Sequence, residues 1–315
     1  MAYAEQSYGN LEHFGGFEIV QWAPGQPLGD PATQIHRLST DYDGDLGWPA
    51  LLADYLRQPG VERMQGLVVG YWGTDTLMDA DIRTEVAEPL RAAAAQLAQV
   101  RVLYINDISS EESEVSWISN ADLSALVQAF PGLTDLGIRG GNDLELPGLA
   151  LPQLRTLVIE AGGLSSALVR QVVQADLPAL THLELWLGTE DYGATNSVED
   201  LSPLLEGRRF PALRSLGLKN SDHQDQVAQV FSAAPVVGSL EVLDLSMGVL
   251  TDEGAQALLD NPHLGHLKKL DLQFNWLSEE MAGRLQTWAD AHGVELDVSD
   301  RQDSEDDWRY VALGE

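Results

Sequence analysis

Residues 240–250 read LEVLDLSMGVL, and residues 267–277 read LKKLDLQFNWL. Both hold Leu at the first, fourth, sixth and eleventh places, and both hold Asp at the fifth. The same L-x-x-L-x-L phrase recurs as Leu133/Leu136/Ile138, Leu154/Leu157/Ile159, Leu180/Leu183/Leu185 and Leu213/Leu216/Leu218. Looser copies are Met64/Leu67/Val69 and Val100/Leu103/Ile105, and a partial one ends at Leu296/Val298. The fourth place therefore falls at 67, 103, 136, 157, 183, 216, 243, 270 and 296, at intervals of 36, 33, 21, 26, 33, 27, 27 and 26 residues. A period in this range marks an array of stacked units.

Within each copy, apolar and variable positions alternate, which is the period of a half-buried strand. Between copies the period becomes helical. Leu123/Leu126/Val127/Phe130, Val169/Val172/Val173, Val227/Val230/Phe231, Ala255/Leu258/Leu259 and Met281/Leu285/Trp288 follow it. Ser278 before Glu279 and Glu280 reads as an N-cap with acids in the first turn, and Asp222 reads as another. Strand, loop, helix and loop repeated in this way make a solenoid, because one unit cannot bury its apolar face alone.

On these residues the chain resembles the leucine-rich repeats, whose consensus is L-x-x-L-x-L-x-x-N/C-x-L. Leu267, Leu270, Leu272, Asn275 and Leu277 match it in full. The phrase LTDEGAQAL at 250–258 is similar to the ribonuclease-inhibitor-like branch. The layout also resembles a group of actinobacterial cytoplasmic repeat proteins that end in R-Y-V-x-x-x-E, here Arg309-Tyr310-Val311 to Glu315. Members of that group are thought to be encoded near radical-chemistry enzymes. The resemblance implies an α/β solenoid with a curved parallel sheet on the inner face and helices on the outer face. Gly162, Gly188 and Gly248 depart from the consensus, standing where it has Asn or Cys.

The expected organisation is an N-terminal cap over 1–62, a solenoid of about nine strands over 63–300 and a C-terminal capping tail over 301–315. In the cap, residues 17–20 and 34–38 read as strands and 48–56 as a short helix. The tail begins acidic but ends in Trp308 and Tyr310.

Of 315 residues, 44% are hydrophobic and none is Cys, which excludes disulfides and thiolate chemistry. The first residues carry no basic or apolar leader pattern, so a cytoplasmic protein is expected. Asp and Glu number 49 against 18 Lys and Arg, for a net charge of −31. Such a chain repels nucleic acid and anionic membranes and attracts basic proteins or peptides. Lysine occurs only at 219, 268 and 269.

The residues flanking the apolar positions of each strand face away from the core, onto the inner face. One column there reads Val68, Tyr104, Gly137, Val158, Glu184, Gly217, Asp244, Asp271, Asp297. The next column includes Glu160 and Trp186, and the column before it includes His182. Strands about 4.8 Å apart would bring the three aspartates together as like charges, so a cation, a basic partner or water must offset them. Trp186, flanked by His182 and Glu184, is the aromatic anchor expected on this face. Three longer repeats put their extra residues just after the strand, and these carry Trp72, Trp117, Tyr192 and Asn196. Insertions at one point of the repeat build one rim.

Enzyme signals are absent. The sequence has no G-x-S-x-G, Walker, G-x-G-x-x-G or H-E-x-x-H motif. Asp41-Tyr42-Asp43-Gly44-Asp45 has calcium-loop spacing at first, but Leu46 and Leu52 replace the required Gly and Glu. Asp75, Asp79 and Asp81 read as helix-entry acids, and His263 with His266 as a surface pair. The expectation is a non-catalytic protein- or peptide-binding module without cofactor or metal, using its acidic inner face and long-loop rim. The alternative is an accessory or substrate-presenting subunit of a biosynthetic pathway.

Overall fold

The computed structural model describes residues 9–41, 45–73, 81–261, 263–303 and 308–314. The Asp43 and Asp75/Asp79 readings lie outside them. The chain divides into two compact units, the first running to residue 160 with 175–177, the second holding 161–174 and 178–314.

In the first unit the strands are β1 (His13–Phe14), β2 (Phe17–Gln21), β3 (Gln34–Leu38), β4 (Gly66–Val69), β5 (Val102–Ile105), β6 (Asp135–Arg139) and β7 (Thr156–Glu160). β1 and β2 form an antiparallel pair, and from β2 onward each strand pairs with the next in parallel. The strands at 17–21 and 34–38 thus join the same parallel ladder as the repeats. The helices are α1 (Trp48–Leu56), α2 (Glu88–Ala93) and α3 (Ser124–Gln128). Pro49 opens α1, where its missing N–H costs nothing. Trp48 donates its indole N–H to Leu38 O at 3.1 Å, and Tyr55 meets His36 Nδ1 at 3.0 Å, so the helix locks onto the outer side of β3.

In the second unit the strands are β8 (His182–Gly188), β9 (Ser215–Ser221), β10 (Val242–Asp244), β11 (Lys269–Asp271) and β12 (Glu295–Asp297), again parallel in chain order. Its helices are α4 (Ser166–Val173), α5 (Ser202–Leu205), α6 (Gln224–Ser232), α7 (Asp252–Leu259) and α8 (Glu279–His292). The register follows the phrase found in the sequence. Leu67 pairs with Leu103, Leu103 with Leu136 and Leu136 with Leu157. Leu183, Leu216, Leu243, Leu270 and Leu296 form the same row in the second unit. All these leucines but Leu296 are buried, and each unit is a leucine-rich-repeat solenoid. Ser278 does cap α8, accepting from Met281 N at 3.1 Å. Asp222 does not cap α6: the N-cap is His223, and the Asp222 carboxylate is taken by the His223 ring.

Each unit carries a terminal segment that the periodicity could not place. In the first, Leu11 and Phe14 lie on Phe17, Ile19, Ile35, Val68, Val102 and Tyr104, on the side of the sheet away from α1. That side was expected to be open. Gly137 makes this packing possible, since a Cβ there would sit 2.1 Å from the Tyr104 ring.

In the second unit, residues 310–314 run back across successive repeats. Tyr310 stacks edgewise on Trp276 and Phe274, Ala312 N donates to Met247 O at 2.8 Å, and Leu313 is held by Asn220. Asn220 Nδ2 donates to Leu313 O at 2.6 Å and its Oδ1 accepts Leu313 N at 2.9 Å. Gly162 and Gly248 are explained by close approach. A Cβ on Gly162 would meet Gly314 O at 2.5 Å, and one on Gly248 would meet Gln224 Oε1 at 2.4 Å.

Asn220 is fully buried with φ 56°, so Asn220→Ala loses both tail hydrogen bonds and strains the backbone. The expected cost is about 3 kcal/mol, with Asn220→Gly recovering about 1 kcal/mol of it. Urea denaturation measures both; equal losses for Ala and Gly would remove the backbone part of the argument.

Candidate functional site

The aspartate of the repeated phrase has a local task that the sequence did not reveal. Asp244 Oδ1 accepts Ser246 N at 3.0 Å, Asp271 Oδ1 accepts Gln273 N at 3.0 Å, and Asp297 Oδ1 accepts Ser299 N at 2.9 Å. Each is an Asx turn that ends its three-residue strand. Three positions after each aspartate the chain enters the left-handed region, at Met247, Phe274 and Asp300. The carboxylate thus stabilises a turn that L-residues adopt reluctantly.

The same residues do form the expected ladder. Asp244 pairs with Asp271, and Asp271 with Asp297. The protein's own lysines offset the first two. Lys219 Nζ lies 3.5 Å from Asp244 Oδ2, and Lys269 Nζ lies 2.8 Å from Asp271 Oδ2. Among the described residues no cation pairs with Asp297, whose Oδ1 takes the Ser299 hydroxyl at 2.6 Å. Exposed Glu295 lies beside it on β12.

The expectation for Trp186 needs correction. It is 1% exposed, not an open anchor. Its indole N–H donates to Glu184 Oε1 at 2.7 Å, and Lys219 Nζ lies 5.3 Å from its ring centroid. Glu184 is 2% exposed and also receives Lys219 Nζ at 3.3 Å, with His182 Nε2 at 3.6 Å. His182, half-buried, turns its Nδ1 to Ser215 Oγ at 2.8 Å. Strand register puts Trp186 directly beside Lys219 and Glu184 beside Gly217, whose missing side chain leaves room for the glutamate. Burial alone would raise the Glu184 carboxyl; the Lys219 charge, His182 and the Trp186 N–H outweigh it and hold it at about 2. Burial raises the Asp244 carboxyl, and there Lys219 offsets it only in part. Lysine at 219 therefore serves two acids at once.

Three further expected contacts are also covered. Tyr104 lies under Phe14, with ring centroids 5.1 Å apart. Trp72 is buried, its N–H on Asn106 Oδ1 at 2.8 Å. Glu160 is paired with Arg139 Nε at 2.8 Å. Of the rim residues, Trp117 is 52% exposed and Tyr192 half-buried, whereas Trp72 and Asn196 are buried. His266 is occupied by backbone, its Nε2 3.1 Å from Val237 O and Leu240 O. Asp81 pairs with Arg83 at 3.0 Å.

Sequence reasoning missed a buried charge chain in the first unit. Arg37 Nε donates to Asp107 Oδ2 at 2.6 Å, Arg139 Nη1 lies 3.9 Å from Asp107 Oδ1, and Arg139 continues to Glu160. Asp107 accepts Leu11 N at 3.0 Å, Arg37 donates to Leu11 O, and Arg139 Nη1 reaches Ile108 O at 2.6 Å. The signal available was an arginine at each of two inward strand-face positions, 37 and 139. Asn120 was also missed, and Asn196 was read only as a rim residue. Asn120 and Asn196 each donate to two backbone carbonyls, the task Asn has in the consensus, displaced along the chain by the insertions.

No helix among the described residues is long and apolar enough to cross a membrane. No curated protein matches the sequence. The pattern described as leucine-rich repeat matches residues 239–259, the stretch that holds LEVLDLSMGVL. A protein from Bacteroides fragilis with a crystal structure is similar at 32% identity and a TM-score of 0.79, over 88% of this chain and 76% of that one. With the leucine rows in register and this likeness over most of both chains, the chain belongs to the leucine-rich-repeat proteins.

Proposed function

We propose that the chain is a non-catalytic protein-binding module whose partner is basic. The observation that carries this reading is the half-buried row Asp244, Asp271 and Asp297 in a chain of net charge −31. Leucine-rich-repeat domains generally bind proteins, and an acidic surface raises the rate at which a basic partner arrives. The contact surface of the second unit is the β11–β12 end of the ladder with the loop at 189–199. At the other end Lys219, shared with Glu184, offsets Asp244 only in part. Among the described residues of the first unit, the exposed aromatic is Trp117. Trp186, Glu184, Tyr104, Trp72 and Glu160 are buried and so are not themselves contact residues in this reading. We also place the chain in the ribonuclease-inhibitor-like branch, on the full α-helices that follow β9, β10 and β11.

The test is affinity capture from native lysate at low and moderate salt, wild type against Asp271→Asn/Asp297→Asn. Asparagine keeps the turn-capping oxygen, so folding is expected to persist. Capture of a basic protein should fall on the order of tenfold in the variant and be released from wild type by moderate salt. Salt-resistant capture, equal in both proteins, would refute the reading.

A further inference from the structure

A cleft of roughly 430 Å³ lies in the second unit between the loop after β8 and the start of α6, lined by Glu190, Ala194, Thr195, Asn196, Asp222 and His223. Its hydrogen-bonding groups are unbalanced. Asn196 Nδ2 donates to Leu164 O and to Leu187 O, both at 2.9 Å, and this fixes the amide orientation. Its Oδ1 is left buried without a partner, on a residue that is 9% exposed. His223 Nδ1 sits 2.8 Å from Asp222 Oδ1, so the ring proton belongs on Nδ1 in the neutral imidazole. Nε2 then presents a lone pair, and it too is buried without a partner.

Thr195 Oγ1 is already used, accepting Ser166 N at 3.0 Å. The Asp222 and Glu190 carboxylates add two negative charges. Asp222 is drawn toward the loop by Glu190 N at 3.4 Å. Two carboxylates outweigh the half positive charge at the start of α6. The cleft thus sets two buried acceptors and two carboxylates against one side-chain donor, the Thr195 hydroxyl. A buried acceptor left unpaired costs free energy that a donor-rich ligand would return.

The ligand that fits this inventory is a cation with several N–H groups spread over a plane. A guanidinium has five in a fixed fork, whereas an ammonium concentrates three at one point. We propose that this cleft is a guanidinium subsite that takes an arginine side chain of the basic partner. The inference rests on the proposed function and deepens it, by naming the side chain that the loop insertion of this repeat was built around. It also gives Asn196 a second task beside its two backbone bonds.

Titration of the full chain with N-acetylarginine amide, followed by nuclear magnetic resonance of the His223 ring protons, tests it. N-acetyllysine amide and calcium chloride serve as the competing probes. Saturable binding of the arginine compound is expected, at least about tenfold tighter than the lysine compound, with His223 signals moving. Glu190→Gln/Asp222→Asn, at exposed positions, should weaken it by a similar factor with the thermal midpoint unchanged. No saturation, equal binding of lysine, preference for calcium, or unchanged affinity in the variant would each overturn the subsite. Salt-sensitive capture of a basic protein that persists in Glu190→Gln/Asp222→Asn removes this subsite and leaves the proposed function standing.

Discussion

Lys219→Met is expected to destabilise the chain by about 3–5 kcal/mol, because it leaves buried Glu184 and half-buried Asp244 without their shared ammonium. Lys219 is 1% exposed and Glu184 2%, so water cannot take over the role of the ammonium. Denaturant unfolding of the full chain measures the loss. The acid limb of the stability profile gives a second reading. The folded Glu184 carboxyl lies at about 2, below its ordinary 4.5. Its contribution is therefore complete above about pH 4.5 and is lost as pH falls toward 2, a loss of about 3 kcal/mol.

Asp244 works in the opposite direction. Its raised carboxyl disfavours the charged form in the folded state, so mild acid relieves it before the Glu184 contribution is lost. The wild-type profile should be shallow in mild acid and steep below it. In Lys219→Met the steep limb should vanish, since Glu184 would then be held protonated by burial. Glu184→Gln added to Lys219→Met should restore part of the loss. An unchanged acid limb in Lys219→Met would show that Lys219 does not hold the glutamate down.

Asp107→Ala should be comparably severe in the first unit, at about 3–5 kcal/mol. Asp107 is fully buried, bonded to Arg37, close to Arg139 and accepting the Leu11 amide. Its removal leaves two guanidiniums without their shared carboxylate and frees the segment that covers Val68, Val102 and Tyr104. Hydrogen exchange separates these consequences. The Leu11 amide, protected in wild type, should exchange freely in Asp107→Ala while the amides of β4 to β6 stay protected. Asp107→Asn should fall between, keeping one acceptor but not the charge. A Leu11 amide that stays protected in Asp107→Ala would show that apolar packing alone holds the segment.

The parts of the fold that were legible are those that repeat. Leu243, Leu270 and Leu296 occupy one row because each repeat must place the same apolar side chain at the same depth, and periodicity records that demand. The helices at 224–232, 252–259 and 279–292 were legible for the same reason. Asp244, Asp271 and Asp297 were legible as a ladder but not as turn caps, since an acid that caps a turn looks in sequence like an acid that faces a partner. Trp186 and Tyr104 were read as open because the rule for strand faces says which side a residue takes and nothing about what lies on that side.

The sequence by itself determined the solenoid: a short-range pattern of apolar spacing sets strand, helix and register within each repeat. Only the tertiary structure decided which faces are covered and which charges are paired. Leu11 reaches Asp107 and Leu313 reaches Asn220 across separations of 96 and 93 residues, without any period to announce them. Lys219 meets Glu184 35 residues away because parallel register sets them on neighbouring strands. Contacts of that kind depend on the summed geometry of several repeats, and they convert an acidic face read from sequence into a partly neutralised one, with charge unpaired among the described residues at Asp297 and one lysine shared by Glu184 and Asp244.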